Sequence, residues 1–236
     1  LGKGNNAGQF RGGRGPAFKG TLQGKEGKME VMEAIRGRRS IREYENTPVP
    51  MEHIRLILEA ARWAPSGYNQ QPWKFIVLQD RDLKARMVEE VRAKLEEISQ
   101  WPVVKGKAAR VKAMLPGFIV FNQAPVAIAV LHSDYSAPMD EILKKRGLSF
   151  EERFNLRAAP GIQSVAAAIE NILLAATSLG YGTCYGTGCL IAREGLERVL
   201  GIKPPWRLIA IVPVGVPKKV PRAPKRKPLE EVSEIR

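Results

Sequence analysis

Apolar residues recur along this chain in two rhythms, one helical and one extended. From Met29, Val31, Ala34 and Ile35 share one face of a helix that Gly37 ends. A second helix is predicted from Pro50, with Ile54, Ile57, Leu58 and Ala61 at the spacing of a buried stripe, stopping before Pro65. Asp80 is placed to cap a third, in which Leu83, Met87, Val91 and Leu95 recur every four residues. A fourth carries Ile162, Val165, Ile169, Leu173 and Ala176 and ends at Gly180; its many alanines permit close approach of another helix, so it is read as the central core helix. Short apolar runs stand between them: Trp73–Leu78, Pro125–Leu131 and Leu208–Val214 read as strands, and Ile41–Tyr44 as a short extended piece. Residues 132–160 are polar and irregular and read as a loop or short-helix insertion, while a Gly-rich turn over 180–188 leads to a short helix closed by Gly201.

Composition narrows this picture. A chain of 236 residues with 44% hydrophobic and 26% charged residues has material for one sizeable core, which excludes disorder throughout. The apolar runs fall short of the roughly 18 to 20 residues of a membrane span, and no signal-like apolar region stands at the start, so a cytoplasmic protein without membrane partners is expected. Cys184 and Cys189 suggest neither a zinc site nor a disulfide framework, and a reducing compartment fits.

The net charge of +14 is concentrated at the ends. Residues 1–28 carry six basic side chains and nine glycines against Glu26 alone, and are read as a flexible Gly/Arg-rich tail, an expression remnant or translated leader, with the folded body running from 29 to 236. Residues 216–236 carry seven basic and three acidic side chains in a Pro-rich setting that cannot pack as a core element of its own chain. The RGG-like residues Arg11–Arg14 and the charge raise a rival reading, a non-enzymatic nucleic-acid-binding protein, but two basic tails on an ordinary body do not favour it.

The catalytic inventory is sparse. Only His53 and His132 are present, both read as surface residues, and no HExxH, CxxC, GxSxG, P-loop or Rossmann pattern occurs, so no metal is expected and, if the chain is an enzyme, a bound cofactor does the hard chemistry. Three segments suit a cofactor. Arg38, Arg39, Ser40 and Arg42 offer guanidinium forks and a hydroxyl for a phosphate; Pro65–Trp73 is a stiffened loop presenting Ser66 and Asn69; Gly182–Gly188 lets backbone approach a flat ligand. Taken alone, these are respectively a solvated basic face, a helix-to-strand turn and a helix C-cap.

In order and spacing, RRSIREY, ILEAARWAPSGYNQQPWKFIV, AAAIENILLAATSLGYGTCY, LIAIVPVGVP and KRKPLEEV together resemble the flavin-dependent nitroreductase family from Met29 to the C-terminus. The resemblance implies an α+β fold, a three-layer arrangement of a mixed, mainly antiparallel sheet flanked by helices, in an intertwined homodimer whose C-terminal arm (216–236) embraces the partner. It implies FMN at the subunit interface, with Arg38, Arg39, Ser40, Arg42 and Arg226 on the phosphate and ribityl side. Pro65, Ser66, Gly67 and Asn69 would cover the ring from the neighbouring subunit, Thr187 and Gly188 would lie at flavin N5, and Ser164 would be a further ring contact. NADH or NADPH would reduce the flavin and a small organic acceptor, nitroaromatic, quinone or related, would reoxidise it by a ping-pong route needing no protein nucleophile or base. Thr187-Gly188 resembles the halotyrosine dehalogenase branch, where a side-chain bond tunes N5 toward one-electron steps, although the Glu, Tyr and Lys lid of that branch has no match between Arg86 and Leu115. The same resemblance is compatible with a flavin-fragmenting relative and with a flavin-storing member that has no turnover.

Overall fold

The computed structural model describes residues 29–133, 135 and 137–236; the predicted N-terminal tail lies outside them. Among the described residues no helix is long and apolar enough to cross a membrane.

The sheet is built from β1 (Trp73–Leu78), β2 (Val126–His132), β3 (Gly182–Thr183) and β4 (Arg207–Gly215), in the order β1-β2-β4-β3 with antiparallel pairing throughout. A parallel bridge from Ser40 to Thr183 extends it at the β3 edge and makes it mixed. All of β2 is buried because helices cover both of its faces. Val126, Ile128 and Val130 meet α2 (Met51–Arg62) and α8 (Pro160–Ser178); Ala127, Ala129 and Leu131 meet α3 (Arg81–Ser99) and α9 (Arg193–Val199). A strand covered on two sides has no need to alternate, hence its unbroken apolar run.

The predicted helices stand where the periodicity put them. Ile54, Ile57 and Ala61 of α2 are buried, the Asp80 carboxylate accepts from the Asp82 and Leu83 backbone N–H groups at 2.8 and 3.0 Å, and Gly180 ends the α8 region at φ +81°. Pro50 sits just outside α2, at its N-cap. The polar segment 132–160 holds α6 (Pro138–Lys145) and α7 (Phe150–Leu156).

Three readings need correction. In α1 (Val31–Gly37) only Ala34 is buried; Val31, Met32 and Ile35 point away from the body and are 67, 53 and 45% exposed. His132 is buried at the end of β2, and His53 is half-buried with Nδ1 2.6 Å from the Tyr181 hydroxyl, so neither histidine is a plain surface residue. Between α3 and β2 the chain forms α4 (Ala108–Lys112) and α5 (Leu115–Phe118), elements of five and four residues that no periodicity announced.

Candidate cofactor site

The basic segment begins where α1 stops. Arg38 is the C-cap residue, and two residues later Ser40 bridges Thr183 while the Ile41 N–H donates to the Thr183 carbonyl at 2.8 Å. This pairing fixes the segment's backbone against the Gly-rich turn. The side chains then diverge. Arg38 Nε lies 3.8 Å from the Glu170 carboxylate on α8; Arg39 Nη1 donates to the Arg36 and Arg38 carbonyls at 2.6 and 2.8 Å; Arg42 is exposed. Arg39 Nε is buried without a hydrogen-bond partner among the described residues. Three guanidinium groups in five residues thus meet one loosely placed carboxylate, an uncompensated cationic excess that suits a phosphate ester. A cavity of about 150 Å³ opens beside Arg38 and Arg39, walled by Tyr181, Gly182 and Pro217.

Behind the segment Ile41, Tyr44, Val120, Ala124 and Cys184 form a small apolar cluster. Tyr44 donates to the Ile41 carbonyl at 2.7 Å, and burial pushes its phenol far above the usual range. Burial also raises the Cys184 thiol, with Arg42 and Ser40 pulling the other way, and holds Cys189 at about 12.

The turn over 182–188 uses its glycines differently from the sequence expectation. A Cβ on Gly182 would lie 2.5 Å from Ile41 Cγ1, one on Gly186 2.4 Å from the Ile211 carbonyl oxygen, and one on Gly188 2.7 Å from Phe118 Cδ1. The space freed by these glycines is therefore filled by the chain itself. Gly186 is pinned to β4 by the Ile211 N–H at 2.9 Å, leaving Thr187 exposed at the start of a 3-10 turn (Gly188–Ala192). Phe118, on the short α5, walls this turn; nothing in its sequence neighbourhood marked it.

The loop from Pro65 is more than a plain connection. Tyr68, Asn69 and Gln71 have φ of +54, +52 and +49°, a left-handed conformation that non-glycine residues seldom adopt together and that persists only where surroundings impose it. Ser66 Oγ accepts from the Gln71 N–H at 3.0 Å, and the Gln71 side-chain amide donates to Asn69 Oδ1 at 3.2 Å. Pro65, Gly67 and Asn69 are exposed. Ser164 is buried on α8 and its hydroxyl donates to the Pro160 carbonyl at 2.9 Å, which commits its proton to the helix.

The predicted residues fall into separate groups. Arg38, Arg39, Ser40 and Arg42 join Thr183 and the turn that leads to Thr187 and Gly188. The Pro65–Asn69 loop lies instead by the N-terminal end of α8, since Tyr135 touches both Gly67 and Gly161. The cavity beside Arg38 reaches Thr177, near the other end of that helix. At 1.5 Å per residue, Pro160 and Thr177 are about 26 Å apart along the axis. Arg226 belongs to neither group. The chain beyond Lys218 is exposed at every residue, and its hydrogen bonds among the described residues run within the arm itself.

Residues 35–216 match the model of the nitroreductase family. A protein of Methanothermobacter thermautotrophicus, provisionally named an NADH dehydrogenase/NAD(P)H nitroreductase, is 35% identical over 204 residues, covering 85% of this chain and 84% of its own. Rat iodotyrosine deiodinase 1 is 29% identical over 208 residues, 86% of this chain and 68% of that protein. Among solved structures, a BluB-like flavoprotein of Clostridium difficile 630 superposes with a TM-score of 0.79 at 33% identity, covering 88% of this chain and 99% of the other. A provisionally named nitroreductase of Desulfovibrio desulfuricans in complex with FMN gives a TM-score of 0.61 at 27% identity, over 89% of this chain and 98% of the other.

Proposed function

Because this chain belongs to the nitroreductase family of flavoprotein oxidoreductases, we propose that it binds FMN between two copies of itself and passes electrons from NADH or NADPH to a small organic acceptor, a nitroaromatic, quinone or related compound. The observation that carries this reading is the Ser40–Thr183 bridge, which holds Arg38, Arg39 and Arg42, three guanidinium groups facing the single Glu170 carboxylate, against the turn bearing Thr187. FMN, when bound, supplies the hydride and electron-transfer chemistry. The chain supplies position and charge. Arg38, Arg39, Ser40, Arg42 and Arg226 are assigned to the phosphate and ribityl chain, Thr187 and Gly188 to the N5 side, Pro65, Ser66, Gly67 and Asn69 to the ring cover, and Ser164 to the ring through its oxygen lone pairs. The guanidinium groups favour a reduced, more anionic cofactor electrostatically.

Three features support a homodimer with exchanged arms. The ring-cover loop stands by the first turn of α8 and the basic segment by its Glu170–Thr177 stretch, about 15–26 Å further along the axis, as expected if the two serve different flavin sites. The α1 face of Val31, Met32 and Ile35 is an apolar patch without cover, and the arm bearing Arg226 leaves the body.

The test begins with the visible spectrum and FMN stoichiometry of the purified protein, together with its mass in solution. Anaerobic reduction by NADH and NADPH and reoxidation by nitroaromatic and quinone acceptors follow. A colourless monomer that takes up no FMN overturns the reading; a flavin that neither nucleotide reduces identifies a flavin-storing member. The Thr187-Gly188 turn and the deiodinase relatives favour one second reading, reductive dehalogenation, tested by iodide release from iodotyrosine. Flavin fragmentation, which the sequence resemblance also allows, would appear in the same assay as irreversible loss of flavin absorbance in air.

A further inference from the structure

The segment between β2 and α8 makes a contact that the cofactor assignment does not use. Tyr135 follows the end of β2, and its side chain fills the space beside glycines of two other elements. A Cβ on Gly67 would lie 2.2 Å from the Tyr135 hydroxyl oxygen, and one on Gly161, in the first turn of α8, 2.9 Å from the Tyr135 Cβ. Non-bonded carbons sit at about 3.5–4.0 Å, so both positions exclude a side chain while Tyr135 stays in place. Neither glycine has a positive φ; what they supply is room.

Tyr135 is itself braced. The Arg157 guanidinium lies 5.5 Å from its ring centroid. Arg157 in turn donates to the carboxylate of Asp140, which is buried and also accepts from the Ala137 N–H at 2.9 Å. Asp140 is buried while Arg157 is half-buried, so losing the guanidinium would leave a buried carboxylate uncompensated, and the pair holds Arg157 in place. A continuous series of contacts, Asp140 to Arg157 to Tyr135 to Gly67, therefore ties α6 and the end of α7 to the loop after α2. Left-handed non-glycine residues follow two of its members: Tyr68, Asn69 and Gln71 after Gly67, and Ala158 and Ala159 after Arg157. Backbone of this kind is kept only where neighbours over-determine it. Ser66 restrains the loop from within, and the Tyr135 hydroxyl is the restraint from outside.

We infer that Tyr135 is a positioning residue for the Pro65–Asn69 loop, setting where that loop stands over bound FMN. The inference rests on the assignment of the loop to the cofactor. It is tested by a double-mutant cycle of Gly67→Ala and Tyr135→Phe in the full chain, read as the FMN dissociation constant from flavin fluorescence quenching and as the Tm of flavin-free protein. Gly67→Ala puts a methyl group where the hydroxyl is and is expected to weaken FMN binding at least tenfold. Tyr135→Phe removes the oxygen and leaves ring atoms 3.0 and 3.2 Å from that methyl, a contact a small ring shift relieves. In a chain already carrying Tyr135→Phe, the Gly67 substitution is expected to weaken binding threefold or less. If Gly67→Ala alone does not fold, recovery of folded, FMN-binding protein by Tyr135→Phe is the same rescue. Equal losses in both backgrounds overturn the inference, as does coupling seen in Tm but not in FMN affinity, which would leave Tyr135 a packing residue. A wild-type chain that takes up no FMN defeats the cofactor assignment and this inference with it, whereas uptake by wild type with additive losses defeats the inference alone.

Discussion

Thr183 gives a prediction whose sign is unusual for a core substitution. The residue is 1% exposed at the edge of the sheet, its carbonyl is used by the Ile41 N–H, and its hydroxyl has no hydrogen-bond partner among the described residues. A buried hydroxyl in this state has lost its water without replacement, a cost of about 1–3 kcal/mol. Valine keeps the branched shape, suits a strand, and puts a methyl group where the oxygen was. Thr183→Val should therefore stabilise flavin-free protein by about 1–3 kcal/mol, which for a chain of this size raises Tm by roughly 2–10 °C. Thermal unfolding followed by circular dichroism measures it, with Thr183→Ser, which keeps the hydroxyl and loses the methyl, expected to fall below wild type. FMN affinity should not change, because the hydroxyl is covered by protein. A lower Tm for the valine variant would refute the reasoning and show that the hydroxyl is bonded.

Arg226→Ala should leave the Tm of flavin-free protein within about 1–2 °C of wild type, since the side chain is exposed and unpartnered among the described residues, yet weaken FMN binding at least tenfold; full flavin occupancy after dilution and gel filtration would remove Arg226 from the site. Lys84 is buried with Nζ donating to the Ala124 carbonyl at 2.7 Å, and burial lowers its pKa, so the unfolded chain binds more protons on the alkaline side below the ordinary lysine value. Stability then rises with pH through that window, and the Tm of wild type should climb relative to Lys84→Met as pH approaches the ordinary lysine value of about 10.4 from below; parallel curves would contradict this. Both cysteines are buried with raised pKa values, so a disulfide reagent at pH 8 should modify neither in the native protein and both after denaturation. Gly188→Ala brings a methyl to 2.7 Å from the Phe118 ring and should lower Tm by a few degrees, with Phe118→Leu restoring it.

The fold was legible wherever a long element buries one stripe or one whole strand. The two rhythms located α2, α3, α8 and the three main strands, because burial on a helix face or between two helical layers leaves a repeat that composition cannot hide. The α4–α5 stretch was not, since its helices have five and four residues and one contains Pro116 and Gly117, too short for a repeat and rich in breakers. The α1 stripe was read correctly as apolar, but a repeat does not say what covers it. At the candidate site, Arg38–Arg42 stood out by residue type. Tyr135 and Phe118 did not: their contacts with Gly67 and Gly188 join positions about seventy residues apart, and glycine in a sequence does not disclose whether it supplies a backbone angle or an empty volume. His132 looked like a strand-end surface residue because the polar end of β2 does not disclose that the first turn of α8, at Gly161, packs against its ring.

The length of α8 has a consequence for handling the molecule. With the ring-cover loop at one stretch of α8 and the basic segment at another, the proposed site between two copies would make cofactor retention a matter of mass action among chains. Each FMN captured would draw two chains together, and each pairing of chains would create places for FMN, so the two equilibria would reinforce one another to the same degree in both directions. Dilution alone should then bleach the protein, and added FMN should raise its apparent mass, without any change within the fold of a single chain.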